Sequence, residues 1–244
     1  MICVNRALLA AAKVPIIQAN YRPGENVYWD GSPAQFVYAV DKGALLRFRL
    51  LPGDRRSIRQ FLLPGDGFGY EIGQHHRDTV QALTHTTVLV GGREALVATA
   101  ASDLRLANRL FEAAVSAVIA ADDQSDVLRV KTATERIAQF LLEMDARLSI
   151  QGKIDLPMSR SQIADYFGLA LETVSRAINA LRREKIIQFV DGEQRQLMIC
   201  DKRRLRQIVS NASAFDHSSG LRKRKAETVP ASSDLSTKQL THSV

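Results

Sequence analysis

Cysteine is scarce in this 244-residue chain: there are two, Cys3 and Cys200. Two thiols so far apart in sequence cannot make a disulfide framework, and their scarcity fits a reducing compartment. Long apolar runs are also missing. A membrane span needs ~20 predominantly apolar residues, and no stretch approaches that. Arg6 precedes a short Ala/Leu run that faintly resembles a signal peptide; the run is short and nothing downstream looks secreted, so a secretory leader is not expected. The expected location is the cytoplasm, without membrane contact. Catalytic signatures are absent as well: there is no phosphate-binding loop, no nucleophile elbow and no zinc-protease helix motif. No pair of acidic residues stands out as a general acid and base, so an enzyme is not expected. His75-His76 lacks a third ligand at metal-binding spacing and reads as a solvated loop. Neither a metal nor a cofactor is expected.

What is present is an ordinary globular composition with a basic excess. Hydrophobic residues make up 45% and charged residues 24%. The 33 Lys and Arg against 26 Asp and Glu give a net charge of +7, which fits a nucleic-acid partner. Part of that excess lies in a Ser/Thr/Lys/Arg-rich stretch at 212–244, which reads as a disordered basic tail. There Arg222-Lys223-Arg224-Lys225 is either solvated or in contact with phosphates.

Residues 1–20 read as an N-terminal arm. From 21 to 92, turn signals recur at Pro23-Gly24, Asp30-Gly31, Lys42-Gly43, Pro52-Gly53, Pro64-Gly65 and Gly91-Gly92. Between them lie strand-like runs: Gln35–Val40, Ala44–Leu51, Ile58–Leu63 and Val80–Val90. This spacing predicts a small β-domain over 21–100, with Tyr28 and Trp29 in its packing. A short helix follows at Glu94–Ala100. A long one, capped by Ser102, occupies the segment 101–127. It carries two apolar stripes: Leu106, Leu110, Ala113, Ala117 and Ala120, and then Leu104, Phe111, Val115 and Val118. Two stripes require two partners. One suits the β-domain and the other the same helix of a second subunit, a dimer seam; complete burial within one subunit is the alternative. A domain boundary is expected between Asp122 and Val130. Thr132 and Glu135 then form a capping box for a helix with Ile137, Phe140, Leu141 and Met144.

The most informative stretch is Leu156–Ile187. Ser159 and Gln162 make a second capping box, Ile163 and Phe167 share a helix face, and Gly168 supplies a sharp turn. A second helix starts near Leu171. At 100° per residue, Val174, Ile178 and Leu181 point one way, with Lys185 at the edge. Glu172, Ser175, Arg176, Asn179 and Arg183 point the other way. Arginine matches the two acceptors of guanine, and glutamate accepts from the cytosine amino group. Ile154–Leu156 reads as a strand, Ile186–Val190 and Gln196–Cys200 bracket an Asp191-Gly192 turn, and Lys202–Val209 is a last helix. Together these make a winged helix-turn-helix over 128–211. Between Leu128 and Asn211, fifteen Lys/Arg face ten Asp/Glu, so affinity for phosphates accompanies the reading face. Cys200, beside Lys202, Arg203 and Arg204, is a candidate redox-reactive thiol; a small half-buried strand residue is the other reading.

The order of a β-domain, a long helix and a winged helix resembles the Crp/Fnr family of bacterial transcription regulators. Glu172-x-x-Ser175-Arg176 is similar to the Fnr branch. Gly69-Tyr70-Glu71-Ile72 and His75-His76-Arg77-Asp78-Thr79-Val80-Gln81-Ala82-Leu83 resemble the FixK group. The resemblance implies an α+β fold: a cyclic-nucleotide-binding-like β-roll, a dimerisation helix and a C-terminal winged helix-turn-helix. It implies a homodimer on a palindrome close to TTGAT-N4-ATCAA, with Glu172, Ser175 and Arg176 contacting bases. It also implies contact with RNA polymerase, and genes of microaerobic respiration, denitrification or nitrogen fixation. Arg160, Ser161, Asn179, Arg182, Arg183 and Lys185 are further candidates for DNA contact.

Three features depart from parts of the family. Fnr itself holds an iron–sulfur cluster on four cysteines, and this chain has two. Binders of cyclic AMP resemble Gly-Glu-Leu followed by Arg-Ser-Ala. Here Tyr70 follows Gly69, and His76, Arg77 and Asp78 fall opposite Arg-Ser-Ala, where Asp78 would repel a phosphate. A shifted loop offering Glu71 and Arg77 is the alternative. Finally, Ala170 stands where relatives often have Thr, a loss of helix cap that typically costs ~1 kcal/mol.

Overall fold

Alternation of side chains along the strands builds the N-terminal half. Residues 14–53, 55–70, 73–130, 132–190 and 195–219, with Leu9, Ala12 and Gly192, are described in a computed structural model. One four-stranded sheet has the order β1-β8-β3-β6, and a second has the order β2-β7-β4-β5. The first is made of β1 (Ile16–Tyr21), β8 (Thr86–Gly92), β3 (Phe36–Lys42) and β6 (Gly67–Phe68). The second is made of β2 (Asn26–Tyr28), β7 (Thr79–Ala82), β4 (Leu45–Leu51) and β5 (Arg55–Leu62). Tyr38 and Val40 of β3 join Leu45, Leu62, Phe68, Val80 and Val88 in a core shared by the two sheets. Val37 and Ala39, one residue out of phase, pack on the opposite face of β3, as a period of two requires.

That opposite face is covered by two helices. Helix α1 (Arg93–Ser102) contributes Leu96, and helix α2 (Leu104–Val130) contributes Leu106 and Ala113. The other α2 stripe has no cover among the described residues: Leu104 is 76% exposed, and Phe111 and Val118 are 69% exposed.

The second sheet is also buried on both faces. Leu45 and Leu62 point inward, while Leu46, Phe48, Ile58, Phe61 and Leu63 enter the core of the C-terminal half. That half begins with α3 (Ala133–Leu148), then β9 (Lys153–Asp155), α4 (Arg160–Phe167) and α5 (Leu171–Arg183), followed by β10 (Ile187–Phe189), β11 (Gln196–Ile199) and α6 (Lys202–Ser219). The wing sheet has the order β10-β11-β9, with Leu197 paired to both Phe189 and Ile154. The α+β architecture is therefore the one the sequence implies.

Several local expectations change. Residues 16–20, assigned to the arm, form with Tyr21 a strand paired along its length with β8. Gly91-Gly92 is no turn, because Gly91 pairs with Ile16 and Val37 inside the sheet. The Val80–Val90 run is two strands in different sheets, β7 and β8. The cap of α2 is Asp103, whose carboxylate accepts from the amides of Arg105 and Leu106, whereas Ser102 ends α1. The expected boundary at Asp122–Val130 lies within the continuous α2. Helix α6 runs to Ser219, past the expected stop at Val209 and into the stretch read as disordered. Tyr28 is buried as expected, but Trp29 is 61% exposed. His76 is buried rather than solvated. Cys3, Glu71, Ile72, Asp191 and Arg222–Lys225 lie outside the described residues.

Candidate nucleic-acid interface

The helix pair is built by local chemistry. The Ser159 hydroxyl accepts from the Gln162 amide at 3.2 Å, and the Gln162 side chain accepts from the Ser159 amide at 2.7 Å. This reciprocal box starts α4. Gly168 ends it at φ 63°, a left-handed conformation that glycine adopts without a Cβ penalty. Ala170 then precedes α5 with no side-chain cap.

Helix α5 is sharply two-faced. Val174, Ala177, Ile178 and Leu181 are buried against the core. The opposite face carries Glu172 and Arg176, with side chains 75% and 77% exposed, beside the half-buried Ser175 and Asn179. Arg176 donates to Glu172 at 2.8 Å. Arg182 and Arg183 continue the exposed surface through the last turn.

Lys185 is not on the helix at all. It follows the C-cap Glu184 with φ 56°. Its amide donates to Arg182 O at 2.9 Å, and the Ile186 amide donates to Leu181 O at 3.0 Å. These two bonds are the Schellman closure, with lysine in the place glycine usually takes. The side chain is exposed at the end of α5.

Arg160 lies at the start of α4, with its guanidinium 5.5 Å from the centroid of the Phe189 ring on the wing. Burial and then the Arg182 charge pull its pKa below the ordinary arginine value, yet arginine stays protonated. The two arginines therefore sit near enough to feel each other and concentrate positive charge at one end of the face. Ser161 is exposed one residue on. Cys200 is exposed just beyond β11, its Sγ 4.0 Å from Met198 O, so the half-buried alternative does not hold.

The β-roll interior is filled by the chain itself. His76 stacks on Tyr28 at 3.6 Å between centroids and 7° between planes, and Tyr38 stacks on Phe68 at 4.9 Å. Asp78 lies 3.2 Å from Arg49 and 3.8 Å from Arg47, and Arg49 also donates to Arg77 O at 2.7 Å. A carboxylate thus already answers the nearby cations. A phosphate placed beside Arg47 and Arg49 would meet the Asp78 carboxylate.

Sequence reading missed how the two halves are joined. The Phe61 ring on β5 lies 5.1 Å from Tyr166 and 6.1 Å from Phe140. Burial, and secondarily Glu143, pushes the Tyr166 hydroxyl up to about 12. Asp66, in the turn after β5, pairs with Arg147 at 2.6 Å. The signal for this in the sequence is the unbroken apolar run Phe61-Leu62-Leu63, which puts apolar side chains on both faces of the sheet and so calls for a second covering layer.

Known proteins match both halves. A model described as a Crp-like helix-turn-helix domain matches residues 135–208, and one described as a cyclic nucleotide-binding domain matches residues 18–103. The nitrogen fixation regulation protein FixK of Rhizobium meliloti is 35% identical over 184 residues, 75% of this chain and 84% of that protein. Its namesake in Azorhizobium caulinodans is 32% identical over 208 residues, covering 83% and 82%. The structure of FixK2 from Bradyrhizobium japonicum superposes with a TM-score of 0.76 at 40% identity, over 80% of this chain and 98% of that one. The chain belongs to the Crp/Fnr family of transcription regulators, which carry a helix-turn-helix for DNA. Within that family it is FixK-like.

Proposed function

We propose that the protein is a cytoplasmic activator of the FixK type that binds, as a homodimer, a palindrome close to TTGAT-N4-ATCAA. The observation that carries this reading is the exposed face of α5, where Glu172 and Arg176 sit one turn apart with Ser175 beside them. Glu172 accepts from cytosine, Arg176 donates to guanine and Ser175 contacts the neighbouring thymine. Ser161, Asn179, Arg160, Arg182, Arg183 and Lys185 supply flanking contacts, mostly to phosphates. The uncovered stripe of α2, with Leu104, Phe111, Val115 and Val118, supports pairing with the same helix of a second copy. Two α5 helices then meet successive major grooves ~34 Å apart. RNA polymerase is the further partner, and microaerobic, denitrification or nitrogen-fixation genes are the targets. The chain needs neither a cofactor nor a metal for this. Selection of preferred sites from random duplexes, with and without air, tests the reading. Enrichment of the palindrome in both supports it; enrichment of non-palindromic sequence overturns it.

A further inference from the structure

Beside the apolar core that Leu46, Phe48, Ile58 and Leu63 share with the DNA-binding half, two specific contacts join the β-roll to it, and the family resemblance assigns neither. One is aromatic: Phe61, buried at 5% exposure, touches Phe140 of α3 and Tyr166 of α4. Tyr166 and Phe140 in turn pack on Phe167 at 4.8 Å and 5.9 Å. The other is ionic. Arg147, in the last turn of α3, donates from Nη2 to Asp66 Oδ2 at 2.6 Å, and the two side chains are only 22% and 6% exposed.

Asp66 is itself held rigidly. Its Oδ2 also accepts from the Leu63 amide at 2.9 Å, its own amide donates to Leu63 O at 2.9 Å, and its carbonyl accepts from Val40. The carboxylate is therefore fixed to the β-roll by its backbone. Glu143, one turn before Arg147, lies 3.9 Å from the other guanidinium nitrogen and steadies the arginine from its own helix. With this contact closed, Glu172 and Arg176 remain three-quarters exposed. The closed contact therefore does not hide the reading face; it holds it outward.

We propose that Asp66 and Arg147 form an interdomain lock that fixes the orientation of α5 relative to the β-roll, with Arg147 as a positioning residue for DNA binding. Phe61 and Tyr166 prevent sliding, since a packed aromatic cluster resists small shifts. The ion pair prevents rotation about that cluster, because the buried Asp66 carboxylate would lose its guanidinium partner. Only one arrangement of the DNA-binding half then satisfies both contacts.

The test uses the full chain with Cys3→Ser and Gln18→Cys, spin-labelled at position 18 of β1 and at the native Cys200. Labelled chain is diluted with unlabelled chain, so that measured distances lie within one subunit. Arg147→Gln is expected to broaden the 18–200 distance distribution while leaving the circular dichroism unchanged. It should also weaken binding to the palindrome by about tenfold or more, in the range usual for coupled sites. Arg147→Lys keeps the charge but loses the fork, and should recover part of both properties; it also replaces Arg147→Gln if that variant does not fold. An unchanged distance distribution in Arg147→Gln, or in Arg147→Lys if that is the one folded variant, overturns the lock. The affinity arm rests on the DNA-binding reading, but the distance arm does not. If the unmutated chain ignores the palindrome and the distribution still broadens, the lock stands and that reading falls.

Discussion

Arg176 Nη2 lies 2.8 Å from Glu172 Oε1, one helical turn apart on the same open face of α5. An exposed pair at this spacing is worth only ~0.3–0.5 kcal/mol. Such a pair only biases the two side chains toward each other, and it is exchanged for base edges at little loss. The two groups proposed to read bases therefore already lie side by side on the open face before DNA arrives.

Replacing Arg176 with Ala should cost ~1–3 kcal/mol of binding and relax preference at one base pair. Competition binding with single-base variants of the palindrome measures this. An equal loss on every sequence would make Arg176 a phosphate contact instead.

Lys185 separates stability from binding. At φ 56° a lysine is strained by roughly 1 kcal/mol, and glycine is not. Lys185→Gly should raise folding stability by about that amount in urea titration. The same change should weaken binding to all duplexes and flatten the salt slope by about one unit. An unchanged slope removes Lys185 from the phosphate contacts.

The missing cap at Ala170 is a correctable weakness. Ala170→Ser should stabilise the protein by ~1 kcal/mol, as an oxygen able to accept from the first-turn amides normally does. A thermal melt with Tm unchanged would mean that those amides already have partners.

Tyr166 predicts a limit at alkaline pH. Its pKa rises from 10.0 to about 12 on folding, chiefly through burial. A raised pKa in the folded state contributes stability that is fully present below the unfolded value and is lost as pH climbs through the folded one. Stability should therefore fall between pH 10 and about 12, by up to about 3 kcal/mol. Tyr166→Phe should remove that part of the fall. Parallel urea titrations of the two proteins at each pH check it, and identical curves would contradict it.

Legibility in the sequence followed how local the cause was. The capping boxes at Ser159 and Thr132, the turn at Gly168 and the buried face of α5 each depend on residues within a turn or two. All were readable. The strand Ile16–Tyr21 was not, because its partner β8 lies some seventy residues downstream, and nothing nearby marks it. Asp103 displaced Ser102 as a cap because either residue can accept the first-turn amides, and only the backbone decides. His76 was misread because its stacking partner Tyr28 is distant in the chain. The Asp66–Arg147 pair joins residues 81 positions apart, and no pattern in either segment announces it.

Two copies of this chain are proposed to read one palindrome. Fluorescence anisotropy of a labelled TTGAT-N4-ATCAA duplex, titrated with protein at fixed salt, tests it most directly. The prediction is saturation at two chains per duplex, with affinity lost when either half-site is scrambled. Saturation at one chain per duplex, or equal binding to the scrambled duplex, would contradict it.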